Sequence, residues 1–309
     1  MNLRLLASAR AMGAMMALLA ALVTFGPAFA AGPIGIVVYE TDFGLKDGAV
    51  SAMRGVARGV DKGLILEDLT HDIPAYNIWE GAYRLNQTAA YWPEGTVFVG
   101  VVDPGVGTER KNIVLRTKSG HYFVAPDNGL LTLVAETLGV DEVREIDLAK
   151  NRLPGSEKSY TFFGRDLFSY TGARLAAGKV AFAEVGPVLG GGMETIDYQR
   201  PDLVDGKLVG TIPVLDVQYG NVWTNIDRGT FGRLGLEKGQ TAVVRILDGD
   251  EPVWDGELPY VDTFGDVPEG EPLLYFNSLD NLALAVNYGD FASTFGVSSG
   301  PEWRIEITK

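Results

Sequence analysis

The chain has 309 residues, a formal net charge of −14 at pH 7 and no cysteine. Its hydrophobic and charged fractions, 46% and 21%, are those of a globular protein and exclude a collagen-like or wholly disordered chain. The acidic excess argues against nucleic-acid binding, because the phosphate backbone is bound by clustered cations. Without cysteine there is no disulfide, thiolate zinc site or cysteine nucleophile, and two histidines leave little room for a multi-histidine metal centre.

Residues 1–30 have the features of a secretory signal peptide. Arg4 and Arg10 come first, a mainly apolar run from Ala11 to Phe25 follows, and small residues precede position 31. We therefore predict that this segment is removed and that the protein is exported, to the periplasm or outside the cell. The alternative is an uncleaved membrane anchor, which the short apolar run disfavours.

The next part of the chain, to about residue 185, alternates between strand-like and helix-like segments. Short apolar runs predict strands at Gly35–Tyr39, Leu64–Leu66 and Thr96–Val102. Amphipathic or apolar stretches predict helices at Asp47–Val60, Ile78–Tyr91, Leu130–Leu138 and Leu167–Ala177. Such alternation favours a largely parallel sheet. We predict a Rossmann-like α/β domain at 33–203.

After about residue 200 the pattern changes to short apolar segments between turns rich in Gly, Asp and Pro. Strands are predicted at Leu208–Val217, Asn221–Ile226, Thr241–Ile246 and Leu273–Asn277. Few helical windows remain, which is typical of a small antiparallel sheet or barrel. We predict a second domain, an antiparallel β-barrel, at 207–309, with the boundary in the polar segment 202–206.

An aspartate followed by a glycine-containing turn ends three of the apolar runs. These residues are Asp42, Asp103 and Asp216. Ligands of parallel α/β sheets bind beyond the carboxyl ends of the strands, so Asp42 and Asp103 are candidates for one crevice. Arg110 follows Asp103 by seven residues, and its guanidinium group suits a carboxylate. The alternative is that each aspartate only caps a turn or helix.

The remaining polar and aromatic candidates have two interpretations each. His71 either titrates or is a turn residue before Pro74, and His121 is expected to be structural at a strand edge. Tyr219 and Trp223, on either side of Asn221, are core aromatics or flat faces for a base or an onium cation.

Six segments in chain order form a far more specific pattern than any one of them. They are TDFG (Thr41–Gly44), DLTHDIP (Asp68–Pro74), VVDPGVGTER (Val101–Arg110), APDNGLLT (Ala125–Thr132), TFFGRDLF (Thr161–Phe168) and YGNVWTNI (Tyr219–Ile226). Together they resemble the S-adenosyl-L-methionine (SAM) hydroxide adenosyltransferase family, which includes a fluorinase and chlorinase branch. The resemblance implies an N-terminal α/β domain, a C-terminal β-barrel and a homotrimer that binds SAM between subunits. The implied reaction is attack of water on C5′ of SAM, giving adenosine and L-methionine without a metal or other cofactor.

The resemblance also implies roles for individual residues. Asp103 and Arg110 align with two members of a water-activating Asp–Arg–His set. Asp42 aligns with the acid that binds the ribose hydroxyls, and Asp216 with the acid that receives the methionine ammonium group. Seven further positions align with the lining of the substrate site: Tyr76, Phe162, Tyr219, Asn221, Trp223, Phe264 and Ser278.

Two positions depart from the family pattern. The hydrolase branch normally has histidine where this chain has Phe163, which neither accepts nor donates a proton. Turnover is then either slow or dependent on Asp103 alone, since a positioned acid–base group commonly contributes about 10²–10⁴-fold. The second position is Leu279, where the halogenase branch has arginine, and this change puts the contact to the methionine carboxylate in doubt.

Hydrolysis is favoured over halogenation because an ionised Asp103 repels a halide, by roughly 4 kcal/mol at about 4 Å. Two other functions remain open at the level of sequence. One is an exported SAM- or adenosine-binding protein with weak or no catalysis, and the other is an exported interaction protein that keeps only the scaffold.

Overall fold

The structure is a computed structural model that describes residues 32–309. The predicted signal peptide at 1–30 lies outside the described residues, so its removal and the export of the protein stay predictions. Between residues 32 and 309, no helix is both long and apolar enough to cross a membrane.

Strands and helices alternate through the N-terminal half, as the sequence predicts. The strands are β1 (Ile36–Thr41), β2 (Ile65–Thr70), β3 (Val97–Val101), β4 (Asn112–Thr117), β5 (Tyr122–Pro126) and β6 (Val140–Glu145). The helices are α1 (Ala49–Val60), α2 (Ile78–Ala89), α3 (Thr132–Leu138), α4 (Leu148–Asn151) and α5 (Tyr170–Ala176). A π-helical turn at Gly164–Ser169 leads directly into α5, and a 3₁₀ turn follows at Phe182–Glu184.

These six strands form one sheet in the order β2-β1-β3-β5-β4-β6. The four strands β2, β1, β3 and β5 are parallel, which confirms the predicted α/β class. Strand β4 runs antiparallel to both β5 and β6. The sequence does not predict this antiparallel part, because β4 and β5 are buried on both faces and show no apolar–polar alternation.

Helices cover both faces of this sheet. Val37 and Tyr39 of β1 point to one face and share a core with Met53 of α1 and with the π-helical turn. Val38 points to the other face and shares a second core with Leu85 of α2. Successive residues of β1 thus face opposite sides of the sheet, as the two-residue period of a strand requires. The turn that begins at Asp42 therefore follows a strand that is packed on both faces.

The C-terminal half is mainly antiparallel. Its strands are β7 (Asp202–Val204), β8 (Lys207–Thr211), β9 (Val214–Leu215), β10 (Val222–Asp227), β11 (Thr241–Asp248), β12 (Glu251–Pro259), β13 (Pro272–Phe276), β14 (Asn281–Val286) and β15 (Trp303–Thr308). Two short helices, α6 (Arg228–Gly232) and α7 (Phe291–Phe295), and a 3₁₀ turn at Phe264–Asp266 complete it.

The nine strands form two sheets, β13-β14-β10-β9 and β12-β11-β15-β8-β7. One apolar core lies between them, and it contains Leu208, Val222, Val244 and Leu284. Neither sheet closes on itself within residues 32–309, so the predicted barrel is not confirmed. Strand β7 pairs with β8, so the second of these sheets starts at Asp202; the domain bounds at 203 and 207 stay predictions.

Helix α2 joins the two halves. The indole Nε1 of Trp79 donates to the carbonyl oxygen of Pro213 (2.9 Å), and Arg84 Nη2 donates to that of Leu215 (3.2 Å). The Trp79 ring also packs on Tyr198, with ring centroids 4.9 Å apart. Both acceptors belong to the segment that ends at β9, so α2 is tied to the strand that directly precedes Asp216.

Candidate active site

Asp42 and Asp103 lie at the same edge of the parallel sheet, as the sequence predicts. Asp42 follows β1 directly, and Asp103 is the second residue after β3. The two strands are parallel neighbours, with Thr41 opposite Val101. This is the edge at which ligands of parallel sheets bind.

The turn that carries Asp42 is joined to the loop after β2. Tyr76 donates its backbone N–H to Asp42 Oδ2 (2.9 Å), and Gly44 donates its own to the carbonyl oxygen of His71 (2.7 Å). Tyr76 has a φ of 70°, in the left-handed region that a bulky residue rarely occupies, and its side chain is exposed. Such backbone strain persists only where the surroundings hold it, and here the Tyr76 backbone is held by its hydrogen bond to Asp42.

Asp103 and Arg110 form a buried two-point ion pair. Arg110 Nε donates to Asp103 Oδ1 (2.8 Å), and Arg110 Nη2 donates to Oδ2. The side chains are only 4% and 12% exposed. Arg110 Nη1 donates to the Lys111 carbonyl oxygen and to Asn112 Oδ1, each at 2.7 Å. Four of the five guanidinium hydrogens are thus used, and the orientation of the pair is fixed.

Burial raises the pKa of Asp103 above its ordinary value, and the nearby charge of Asp42 acts in the same direction. The charge and hydrogen bonds of Arg110 oppose this rise. The carboxylate is therefore a somewhat better base than a free aspartate, while its partner is held in a fixed orientation.

Six of the candidate residues line one open cavity of about 860 Å³ in the C-terminal half: Asp216, Tyr219, Asn221, Trp223, Phe264 and Ser278. The cavity lies largely beside the sheet β13-β14-β10-β9. Asp216 follows β9 directly, as predicted, and its Oδ2 accepts from Asn221 Nδ2 (3.3 Å). The cavity thus contains the Asp216 carboxylate hydrogen-bonded to the Asn221 amide.

The cavity contains further polar groups that the sequence does not single out. The side chain of Asn277 accepts two backbone N–H groups through Oδ1, while its buried Nδ2 has no partner. Tyr275 packs on Phe264 with ring centroids 4.8 Å apart, and burial raises its pKa to about 12. Asp290 lies against Gly220, where a β-carbon would come within 1.9 Å of Asp290 Oδ1. Asn277 directly follows β13, Tyr275 lies within that strand, and Asp290 comes four residues after β14, so no shared pattern marks them in the sequence.

The two groups of candidate residues do not line one cavity within a single chain. Asp42, Tyr76, Asp103, Arg110 and Phe162 belong to the edge of the parallel sheet, and none of them lines the C-terminal cavity. Among residues 32–309 there is also no group of three or more His, Asp or Glu side chains arranged to hold a metal ion.

Comparison with known families decides which family the chain belongs to. The model of the SAM hydroxide adenosyltransferase N-terminal domain matches residues 37–186, and that of the C-terminal domain matches residues 210–304. The chain belongs to the SAM hydroxide adenosyltransferase family. The resemblance of the six sequence segments is thereby confirmed.

Several similar proteins align with nearly the whole chain. A fluorinase from Actinoplanes sp. is 31% identical over 89% of this chain and 97% of its own. An (R)-S-adenosyl-L-methionine hydrolase from Salinispora tropica is 34% identical over 88% of this chain and 98% of its own. A crystal structure of an uncharacterized conserved protein from Thermotoga maritima, 36% identical, matches with a TM-score of 0.79 over 88% of this chain and all of its own.

Phe163 and Leu279 both pack against apolar clusters. Phe163 is only 6% exposed and belongs to the core of the parallel sheet, with the Arg152 guanidinium 5.3 Å from its ring centroid. Phe162 beside it packs edge-on against Phe43 of the Asp42 turn, with centroids 5.9 Å apart. Leu279 packs against the cluster around Trp79 and does not line the cavity.

Proposed function

We propose that this protein hydrolyses SAM by attack of water on C5′, giving adenosine and L-methionine. The observation that carries the proposal is the buried Asp103–Arg110 pair at the ligand-binding edge of the sheet. A C–O bond forms at C5′ and the C–S bond breaks, with its electron pair passing to the sulfonium sulfur. The water proton passes to Asp103 or to solvent. A sulfonium is already a good leaving group, so the reaction needs no cofactor, only alignment and a held nucleophile.

The hydrogen-bond capacity of the pair favours water over a halide as nucleophile. Charge repulsion alone does not separate them, because Arg110 offsets most of the negative charge of Asp103. A halide ion requires donors, and all but one of the guanidinium hydrogens of Arg110 are already used. A water molecule uses the acceptor-only carboxylate, to which it donates a hydrogen bond. This preference is the basis for placing the protein with the hydrolases rather than with the halogenases.

Phe163 leaves Asp103 as the base on which the proposed reaction depends. The ring at position 163 has no proton to exchange, and its burial under Arg152 gives it a packing role. We therefore expect turnover slower than that of a relative with histidine at this position, by about 10²–10⁴-fold.

We further propose that the site is completed between copies of the chain in a homotrimer. Two observations support this arrangement: the two groups of site residues do not line one cavity within a single chain, and aromatic side chains at both are unusually exposed. Tyr76 is 72% exposed at the sheet edge, and Tyr219 and Tyr288 are 65% and 90% exposed at the cavity. Asp42 would then hold the ribose from one subunit, while Asp216 of the next receives the ammonium group.

The test is to incubate the protein lacking residues 1–30 with SAM and to separate the products by chromatography. We expect adenosine and L-methionine in equal amounts, at a rate that added chloride does not change. Chloroadenosine as the main product would contradict the proposal. Calorimetric binding of SAM with no product would instead identify an exported binding protein, the second candidate that the cavity and its aromatic walls support.

A further inference from the structure

A chain of polar contacts connects helix α1 with the turn that carries Asp42. Arg54 of α1 pairs with Asp68 of β2, and Asp68 Oδ1 lies 3.1 Å from Nε2 of His71. On the other side of the imidazole, Nδ1 is 2.8 Å from Thr41 Oγ1. Thr41 Oγ1 accepts in turn from the backbone N–H of Phe43 (3.2 Å).

The surroundings of His71 favour one position for its proton. The 3.1 Å contact between Asp68 Oδ1 and Nε2 is outside hydrogen-bond geometry. A carboxylate at this distance nevertheless attracts an N–H and repels a lone pair, so the hydrogen is favoured on Nε2. A neutral ring has a single N–H, which leaves Nδ1 as an acceptor. The hydroxyl of Thr41 therefore donates to Nδ1 while its oxygen accepts from Phe43.

The surroundings keep this ring neutral. His71 is only 3% exposed. Burial, helped by the positive charge of Arg54 and opposed by Asp72, lowers its pKa to about 4. Near neutral pH the ring therefore has the one tautomer that the contacts favour.

His71 also touches both loops of the sheet edge. Its carbonyl oxygen accepts from Gly44 in the Asp42 turn, and its own loop leads to Tyr76, whose N–H is bonded to the Asp42 carboxylate. The His71 side chain thus contacts Thr41, and its carbonyl oxygen contacts Gly44, so that His71 holds both ends of the turn Thr41–Gly44.

The geometry points to His71 as a positioning residue: as a neutral imidazole protonated on Nε2, it holds the Thr41–Gly44 turn so that Asp42 is presented to the ribose hydroxyls of the substrate. The identity of the ligand rests on the proposed function; the support of the turn does not. His71 touches no substrate in this role and is not a base for the reaction.

Paired substitutions separate the hydrogen bond at Nδ1 from the electrostatic contact at Nε2. His71→Asn keeps an acceptor where Nδ1 stood, whereas His71→Gln keeps a donor toward Asp68 and loses that acceptor. Thr41→Val removes the hydroxyl, and Thr41→Ser restores it. We expect Thr41→Val and His71→Gln to weaken adenosine binding roughly tenfold, as the loss of one buried hydrogen bond commonly does, and His71→Asn and Thr41→Ser to stay within about threefold of the parent.

His121 is the matched control. It is the other histidine of the chain, is equally buried, and bonds through both nitrogens, to Ser119 Oγ and to the Trp92 carbonyl oxygen, each at 2.9 Å. His121→Gln should cost folding stability but leave adenosine affinity unchanged. An equal loss of affinity in both histidine variants would mean a general effect of destabilisation and would overturn the assignment.

Two further measurements test the support of the turn by His71 without any ligand. They apply even if the parent protein binds no adenosine and hydrolyses no SAM, which would contradict only the proposed function. Nitrogen-15 NMR of the two histidines should show His71 protonated on Nε2 alone at neutral pH, and the ring should gain its second proton only as the pH approaches about 4. Amide exchange at Phe43 and Gly44 should be faster in His71→Gln and Thr41→Val than in His71→Asn and Thr41→Ser. Protonation on Nδ1, or identical exchange in all four variants, would refute the support of the turn by His71.

Discussion

The edge of the parallel sheet and the C-terminal cavity are built in opposite ways. At the sheet edge, the Asp103 and Arg110 side chains are 4% and 12% exposed, and four of the five guanidinium hydrogens are bonded. In the cavity, the rings of Tyr219 and Tyr288 are exposed, and Asn277 Nδ2 has no partner. The ion pair is therefore held by its own neighbours, whereas the cavity presents exposed aromatic surface.

This contrast suggests how the two regions divide the proposed reaction. A nucleophile has to be aligned before the substrate arrives, and fixed hydrogen bonds provide that alignment at no cost during the reaction. A large ligand with a purine, a sugar and an amino-acid end needs surface, and exposed aromatics supply it. A fixed ion pair on one side and exposed aromatic surface on the other are consistent with the proposed site between copies.

The largest effect is expected from the side with the fixed ion pair. Asp103→Asn keeps the shape but removes the carboxylate, so hydrolysis should fall by about 10²–10⁴-fold while adenosine still binds. Because burial raises the pKa of Asp103, the parent kcat/KM should decline as the pH falls toward a value above 3.8, and this limb should be absent in the variant.

Asp127→Asn is the matched control for that experiment. Asp127 is also buried at the end of a strand of the same sheet, and burial likewise raises its pKa, but its Oδ1 accepts from the backbone of Glu194 rather than from Arg110. Its replacement should leave the acid limb in place. Loss of the limb in both variants, or in neither, would show that Asp103 is not the group observed.

A mixing experiment tests whether the two regions act across copies. Asp103→Asn and Asp216→Ala should each be inactive, because each removes one side of the site. In randomly mixed rings about a quarter of the junctions pair an intact Asp103 with an intact Asp216, so about a quarter of the parent activity should return. No recovery after subunit exchange, verified by mass spectrometry, would mean that both groups act from the same chain.

The smallest effect concerns a buried carboxyl group without a hydrogen bond. Glu40 of β1 is fully buried, neither carboxyl oxygen has a partner, and burial raises its pKa well above the ordinary value. Its Oε2 lies near Gly81 and Gly100, where a β-carbon would be 3.6 or 3.7 Å away, an ordinary contact distance. Folding therefore requires a proton that the unfolded chain has lost at neutral pH.

Glu40→Met should therefore stabilise the protein at pH 7 by about 1–3 kcal/mol, measured by denaturant unfolding. The parent loses stability as the pH rises above the unfolded-state value of about 4.5, because the folded state holds the proton more tightly, and the variant should lack this slope. Glu40→Gln should also lack the slope but gain less, since it keeps unpartnered polar atoms. A variant less stable than the parent at pH 7 would reveal a partner for Glu40.

The sequence predicts those parts of the fold that a local pattern encodes. Apolar runs and 3.6-residue periodicity locate β1, β3, α1 and α2 to within a few residues, and strand-ending aspartates locate the ligand-binding edge. The β4–β5 hairpin gives no such signal, because both strands are buried on both faces. Whether the C-terminal strands form one closed barrel or two sheets depends on long-range pairing, such as β15 between β8 and β11, which no local pattern contains.

The candidate site is predictable to a similar degree. The sequence identifies Asp42, Asp103 and Asp216, because each is an aspartate at the end of an apolar run and before a glycine-containing turn. It does not reveal Asn277, whose importance lies in an amide left without a partner after folding. Nor does it show that His71 has a favoured tautomer, because this follows from contacts with residues 3 and 30 positions away.

Helix α2 begins two residues after Tyr76, and Asn77 caps its first turn. The side chains of the helix donate hydrogen bonds to the segment that leads to Asp216. A tilt of this helix must therefore displace both residues together. In the proposed homotrimer, Tyr76 and Asp216 of one chain would belong to two different subunit junctions. Helix α2 would then connect successive junctions, so binding at one of them would be expected to influence the next.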